Sequence, residues 1–389
     1  MTAEWQDQEL GALFEFSSGK SIAPGGDGLY PAFGSNGLIG QAEKSLFDGG
    51  IIIGRVGAYC GSTAISTSPF WASDNTIVAR PKDGIDLRFG YYLLSNAELN
   101  RHAGGAAQPL LTQATLKPLR FPVPSLTAQR RIGSILGAYD DLIEVNRRRI
   151  ALLEEMARRL FEEWFVRFRF PGHEGHKMVE TPDGPLPEGW KFGTAAELID
   201  FDPTTKIPRD GRKPFVPMNS LSTDCSLIGE IEWREGNSGA KFANGDTLFA
   251  RITPCLENGK TGLVRNMPGG GLGFGSTEFL VMRGKLAGAA FCYQLARHPA
   301  FREHARRSMS GATGRQRART ESLRAYQLAI PPSALLLQFE AVSWPLLELS
   351  GSLGNANERL ASSRDLLLPR LISGELSVST AERELEAVT

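Results

Sequence analysis

The chain has 389 residues, 41% of them apolar and 22% charged, and its 43 basic side chains balance 43 acidic ones to a formal net charge of zero. That length exceeds one ordinary core and suits two or more domains of roughly 100 to 150 residues each. No apolar run approaches the roughly 18 residues of a membrane span, and MTAEWQDQEL has neither the basic start nor the apolar core of a signal peptide, so a cytoplasmic protein is expected.

The first segment, 1–125, opens on an amphipathic stretch carrying Trp5, Leu10, Leu13, Phe14 and Phe16. It then breaks into apolar triplets separated by Gly, Ser and Asn, as in GGDGLYPAFGSNGLIG, IIIGRVGAYCGSTAIS and WASDNTIVARPKDG. Such runs predict short strands with exposed loops. A helical stretch over 87–102, a loop GGAAQPLLTQATL and a closing strand PLRFPVP follow.

A long amphipathic helix is predicted over 130–165. Ile132, Leu136, Tyr139, Ile143, Asn146, Ile150, Leu153, Ala157, Leu160 and Trp164 step alternately by four and three, a heptad seam interrupted once by Asn146. Such a seam calls for a partner helix. The linker HEGHKMVETPDGPLPEG, rich in Gly and Pro, reads as a surface connection.

Beyond it the order repeats. LPEGWKFGTAAELIDF echoes AEWQDQELGALFEF, with Trp190 answering Trp5, Leu198 answering Leu13 and Phe201 answering Phe16. NGDTLFARIT echoes DGGIIIGRVG and sets Arg251 opposite Arg55; FCYQLARHPAFREHA echoes YYLLSNAELNRHA; GATGRQRARTESLRAYQLAIPP echoes GAAQPLLTQATLKPLRFPVP, with Leu323 opposite Leu116 and Ile330 opposite Val123. The chain is therefore an internal duplication with a period near 200 residues, globule, helix, globule, helix. In the second helix Phe339, Val342, Leu346, Leu349, Leu353, Ala356, Leu360, Ser363 and Leu367 form the expected seam. Pro345, Gly351 and Gly354 weaken it and set a kink or a late start there. The acidic tail ELSVSTAERELEAVT is expected to fray at its end.

Catalytic patterns are missing. The four cysteines are scattered without a CxxC pair, which predicts buried free thiols, and His173 and His176 lack a second ligand pair for a metal. Pro331-Pro332 is not an Asn- or Asp-Pro-Pro-aromatic methyltransferase loop, and the Gly cluster over 269–275 precedes a strand instead of opening a helix. Pro182-Asp183 with Glu188 and Lys191 has the wrong spacing, in a linker, for a nuclease metal site. No Walker loop, GxSxG elbow or Cys-His pair is present, and the chain reads as non-enzymatic.

Binding chemistry is concentrated in loops. Residues 191–333 hold 20 Lys and Arg against 13 Asp and Glu, so the basic excess lies in the second globule. Ser35 and Asn36 occupy a turn able to offer a hydroxyl and an amide to DNA, although a plain hairpin explains it equally. Arg55 and Arg251 stand at duplicated strand ends. Asn258 and Lys260 lie on the ENGK turn, and Arg315, Gln316, Arg317 and Arg319 bring three guanidinium groups and an amide into five residues. Arg and Gln are the side chains that pair bidentately with guanine and adenine in the major groove; a solvated face is the alternative. The matching loop of the first half offers Gln108 and Thr112 but no cation, so the halves are not expected to read the same bases. Lys20 completes the set of candidate DNA-binding residues.

GSNGLIG with IGRVG, FPVPSLTAQRRIGSIL running into NRRRIALLEEMARRLFEEWF, then LPEGW, GDTLFARITPCLENGK, GRQR and RDLLLPRLISGEL carry a resemblance over essentially the whole chain. It resembles the DNA-specificity subunit of type I restriction-modification systems. The resemblance implies an α+β fold of two β-rich target recognition domains in pseudo-twofold arrangement, separated by two long antiparallel coiled-coil helices. Its expected divisions are 1–125 and 187–333 for the recognition domains, 126–170 and 334–375 for the spacer helices, 171–186 for the linker and 376–389 for the tail. It implies binding of a bipartite double-stranded DNA target, and assembly with modification (methyltransferase) subunits and restriction (translocase and endonuclease) subunits. S-adenosylmethionine, ATP and Mg would be used by those partners, with no cofactor bound by this chain. A helix of about 36 residues is about 54 Å long, enough to space two readers over successive major-groove faces about 34 Å apart. The zero net charge predicts that stable specific binding needs the modification subunits. The competing readings are a protein-interaction scaffold or decoy that assembles without reading DNA, and a methyltransferase or nuclease fragment.

Overall fold

Runs rich in β-branched residues between Gly turns become strands whose alternate side chains point to opposite faces. The computed structural model describes residues 5–21, 28–105, 108–312 and 315–386, with strands and helices in two units, Met1–Ile143 with Glu358–Thr389, and Glu144–Asn357. The chain is α+β.

In the first unit an antiparallel sheet is ordered Phe14–Ser18, Thr76–Pro81, Gly50–Gly54, Thr63–Ser66. Ile51 and Ile53 point into the main core with Phe14, Phe89 and Leu93, while Ile52 points the other way to Phe70, Ala72 and Val78. A second sheet pairs Tyr30–Gly34 antiparallel with Gly37–Ala42 and parallel with Trp71–Ala72. Gln6–Glu9 pairs with Arg120–Val123 to close the domain.

The second unit repeats this plan. Its antiparallel sheet is ordered Ile199–Phe201, Phe279–Gly284, Thr247–Ala250, Thr261–Leu263. The smaller sheet again contains one parallel pair, Lys213–Val216 with Leu272–Gly275, now flanked by Glu232–Arg234 and Ala240–Ala243. Lys191–Thr194 pairs with Gln327–Ile330. The duplication extends to single bonds: the Lys82 N–H donates to Leu13 O, as the Lys285 N–H donates to Leu198 O.

The first long helix runs Leu126–Phe161 and ends in a wide π-type turn, Glu162–Val166. Ile132, Leu136, Ile143, Asn146, Ile150, Ala157 and Trp164 are buried as the seam requires. The second runs Ser333–Ile372 as one continuous helix through Pro345, Gly351 and Gly354, so it does not start late there. Its seam also differs from the apolar one expected. Val342 and Leu349 are exposed, Phe339 and Leu353 are buried as expected, and the other buried positions in this stretch include Leu335, Leu336, Ser343, Leu347 and Ser350. Two serines in the seam shift the apolar pattern away from the true contact face.

Within the first unit Leu371 and Ile372 join Ile132 and Leu136 in the core, and Arg364 pairs with Asp140. Within the second, Asn146 Nδ2 donates to Asn357 Oδ1 (2.9 Å), Ser350 Oγ donates to Glu154 Oε1 (3.1 Å), and Phe161 packs on Phe339. Rising numbers on one helix meet falling numbers on the other, so the two run antiparallel. Asn146 thus finds its partner inside the coil.

The linker and the tail carry secondary structure of their own. The linker forms a hairpin, Met178–Thr181 with Gly184–Pro187, anchored by buried Leu186 beside Phe170 and Trp190 in the second core. The tail forms a helix, Val378–Glu386, whose Ala381 is buried and whose Glu382 pairs with Arg131; the end expected to fray, 387–389, lies outside the described residues. Cys60 and Cys292 are buried thiols, whereas Cys225 and Cys255 are only half-buried.

Candidate nucleic-acid interface

Each unit brings the end of its third sheet strand against a loop that precedes the closing strand. In the first, the Arg55 N–H donates to Asn75 O (2.9 Å), and the Leu111 N–H donates to Arg55 O (2.9 Å). In the second, the Arg251 N–H donates to Glu278 O (3.0 Å), and the Ala318 N–H donates to Arg251 O (2.9 Å). The loops are bridged alike: Leu110 pairs with both Val56 and Gly104, and Arg317 with both Ile252 and Ser310. Hence Arg55 matches Arg251, Asn75 matches Glu278, and Leu110 matches Arg317.

The two arginines share an unusual state. The Nε–H of each is buried without a hydrogen-bond partner among the described residues. A desolvated donor without a partner costs free energy in the free protein, which is recovered if a ligand supplies the acceptor.

Around this shared frame the side chains differ. In the first unit Ser35 Oγ donates to Asn75 O (2.6 Å), so Ser35, Arg55 and Asn75 converge, with exposed Asn36 on the adjoining turn. Thr112 is committed locally, capping the short helix Gln113–Leu116 through Thr115. Gln108 is exposed beside residues 106–107, which lie outside the described set. Lys20 is exposed, and its backbone is tied to Ala72 and Trp71.

In the second unit Arg317 donates from both Nε and Nη2 to the Glu278 carboxylate (2.6 to 3.0 Å). Arg251 Nε lies 3.8 Å from the same carboxylate, and its Nη2 donates to Thr277 O (3.2 Å). The Arg317 hydrogen bonds, foremost, hold the Glu278 carboxyl below its ordinary pKa, so it is charged at neutral pH. Gln316 O accepts from the Thr253 N–H, and Arg315 and Gln316 are exposed; Gly314, the first residue of the expected cluster, lies outside the described residues. Arg319 Nε is spent on Ser308 O (3.2 Å) and Lys260 Nζ on Met218 O (3.0 Å), while Asn258 is exposed on its turn. Arg251 also lines a cleft of about 490 Å³ with Lys241, Thr205, Asp202 and Phe279. Asn75, Glu278 and Lys241 were not anticipated from the sequence, and the pair Asn75 and Glu278 emerges only from the matched backbone hydrogen bonds to Arg55 and Arg251.

No group of three or more His, Cys, Asp or Glu is arranged to hold a metal ion among the described residues, and no described helix is long and apolar enough to cross a membrane.

Comparison with known proteins agrees with the architecture. The type I restriction modification DNA specificity domain matches residues 2–155. The type I restriction enzyme MjaIX specificity subunit of Methanocaldococcus jannaschii is 24% identical over 372 residues, covering 90% of this chain and 84% of that one. The EcoprrI specificity subunit of Escherichia coli is 35% identical over 115 residues, 29% of each chain. Among solved structures, the S subunit of a type I restriction-modification system from M. genitalium superposes with a TM-score of 0.62 at 14% identity, covering 95% of this chain and 96% of that one, a likeness of fold. Residues 2–155 thus match the DNA specificity domain of type I restriction-modification systems, and nearly the whole chain is similar to a type I restriction enzyme specificity subunit.

Proposed function

We propose that this chain is the sequence-reading, non-catalytic subunit of its complex, each unit reading one half of a bipartite duplex target through the strand-end frame around Arg55 or Arg251. The observation that carries this is the duplicated frame itself: an arginine whose buried Nε–H makes no hydrogen bond among the described residues, at the same backbone position in both units. Arg is the residue best matched to phosphate and guanine acceptors. The chain directs adenine methylation and restriction, and partner subunits carry them out, using S-adenosylmethionine, ATP and Mg; the helix between the readers sets the gap between half-sites.

The test is to express the chain with its modification subunits and map methylated adenines across a genome. A split motif with two defined halves is expected, and Arg251→Ala should relax one half only. A continuous motif, or none, would rule the proposal out in favour of a scaffold that assembles without reading DNA.

A further inference from the structure

The matched positions of the two units differ most where Arg317 and Glu278 replace Leu110 and Asn75. Glu278 is largely enclosed, its side chain 18% exposed, whereas Arg317 is 47% exposed. The carboxylate grips the guanidinium side-on, through Nε and Nη2. That grip leaves the opposite edge, both Nη1 hydrogens and the second Nη2 hydrogen, directed away from the carboxylate. An Nη1–Nη2 edge is the fork that donates in parallel to the O6 and N7 acceptors of guanine. A guanidinium already fixed by a carboxylate loses little rotamer freedom on binding.

Resting on the DNA-reading function proposed above, we infer that Arg317, oriented by Glu278, reads one guanine in the half-site bound by the second unit, and that the first unit makes no such contact at its matching position. Glu278 is the positioning residue and Arg317 the contacting one. Its negative charge also disfavours a phosphate at this point, which directs the pair to a base edge instead of the backbone. Leu110 offers only apolar surface to its own half-site, so the two halves differ chemically at matched positions.

The experiment uses the full chain assembled with its modification subunits, in binding titrations on duplexes carrying each base-pair change in turn, alongside methylation mapping. The wild-type complex should require guanine at one position of one half-site. Arg317→Lys keeps the charge but not the fork, and should lower discrimination at that position about tenfold or more, while preserving the salt dependence of binding and the other half-site. Glu278→Gln should relax the same position and leave the other half-site unchanged. A purely structural role for the pair would weaken binding to all duplexes alike, which would overturn the inference. So would unchanged guanine preference in Arg317→Lys, a surface substitution that decides the matter even if Glu278→Gln does not assemble. A wild-type complex with no split motif would instead defeat the underlying DNA-reading proposal, whereas a split motif insensitive to Arg317→Lys defeats the guanine contact alone.

Discussion

Glu154 shows how a single side chain can hold a unit together. Its buried carboxylate accepts from the Ser226 N–H and Oγ–H, from Tyr293 Oη and from Ser350 Oγ, while Arg265 Nη2 donates to the same Ser226 hydroxyl. Burial is the main reason the Arg265 pKa falls and the Tyr293 pKa rises far above its ordinary value. Removing the acceptor strands these donors and leaves the guanidinium without its nearby anion. Glu154→Ala is therefore expected to cost the second unit about 3–5 kcal/mol, measured as a lowered urea midpoint. Its partners come from sequence positions 72 to 196 residues away, so the local pattern gives no sign of them. By contrast Arg55 and Arg251 could be picked out because the duplication repeats them unchanged. Asn75 and Glu278, which occupy matched positions with different chemistry, escaped the same comparison.

The two long helices differ in what their seams reveal. The first announces its contact face, since Ile132, Leu136, Ile143 and Ile150 are both apolar and buried. The second conceals it, because Ser343 and Ser350 occupy buried positions while Val342 and Leu349 face outward. Its glycines, read as helix-weakening, admit side chains from the second globule: a Cβ at Gly351 would lie 3.0 Å from Arg265 Cζ, and one at Gly354 would lie 2.8 Å from Leu227 Cδ2. These two sites predict different outcomes. Ala gains up to about 1 kcal/mol over Gly in a helix interior. At Gly351 that gain is outweighed, because Arg265 is pinned by hydrogen bonds to Leu347 O and Ser226 Oγ and cannot withdraw. Gly351→Ala should destabilise by about 1–3 kcal/mol, whereas at Gly354 the terminal methyls of Leu227 can turn aside and the change should be near neutral. Thermal unfolding of the two variants side by side measures this contrast. The helix over Val378–Glu386 was hidden for a related reason: its buried anchor is a small residue, Ala381, which gives little apolar signal among the charged residues around it.

At the scale of the whole molecule, the two units are assembled from the chain in different ways. The second is one continuous segment, Glu144–Asn357, whereas the first joins Met1–Ile143 to Glu358–Thr389. Leu371, Ile372, Leu376 and Ala381 complete the first unit's core around Ile132 and Leu136. Leu371→Asp, placing an unpaired charge in that core, is therefore expected to raise hydrogen exchange throughout the first unit while the second stays protected. Equal loss of protection in both units would show that they do not unfold separately. The same wiring governs birth on the ribosome. At about 5–20 residues per second, the opening globule emerges on the order of tens of seconds before the helix that completes it. The later segment, having all its partners within itself, can finish folding first. Vectorial synthesis therefore leaves the first unit's earlier segment waiting with an open apolar face until the residues from Glu358 onward emerge to cover it.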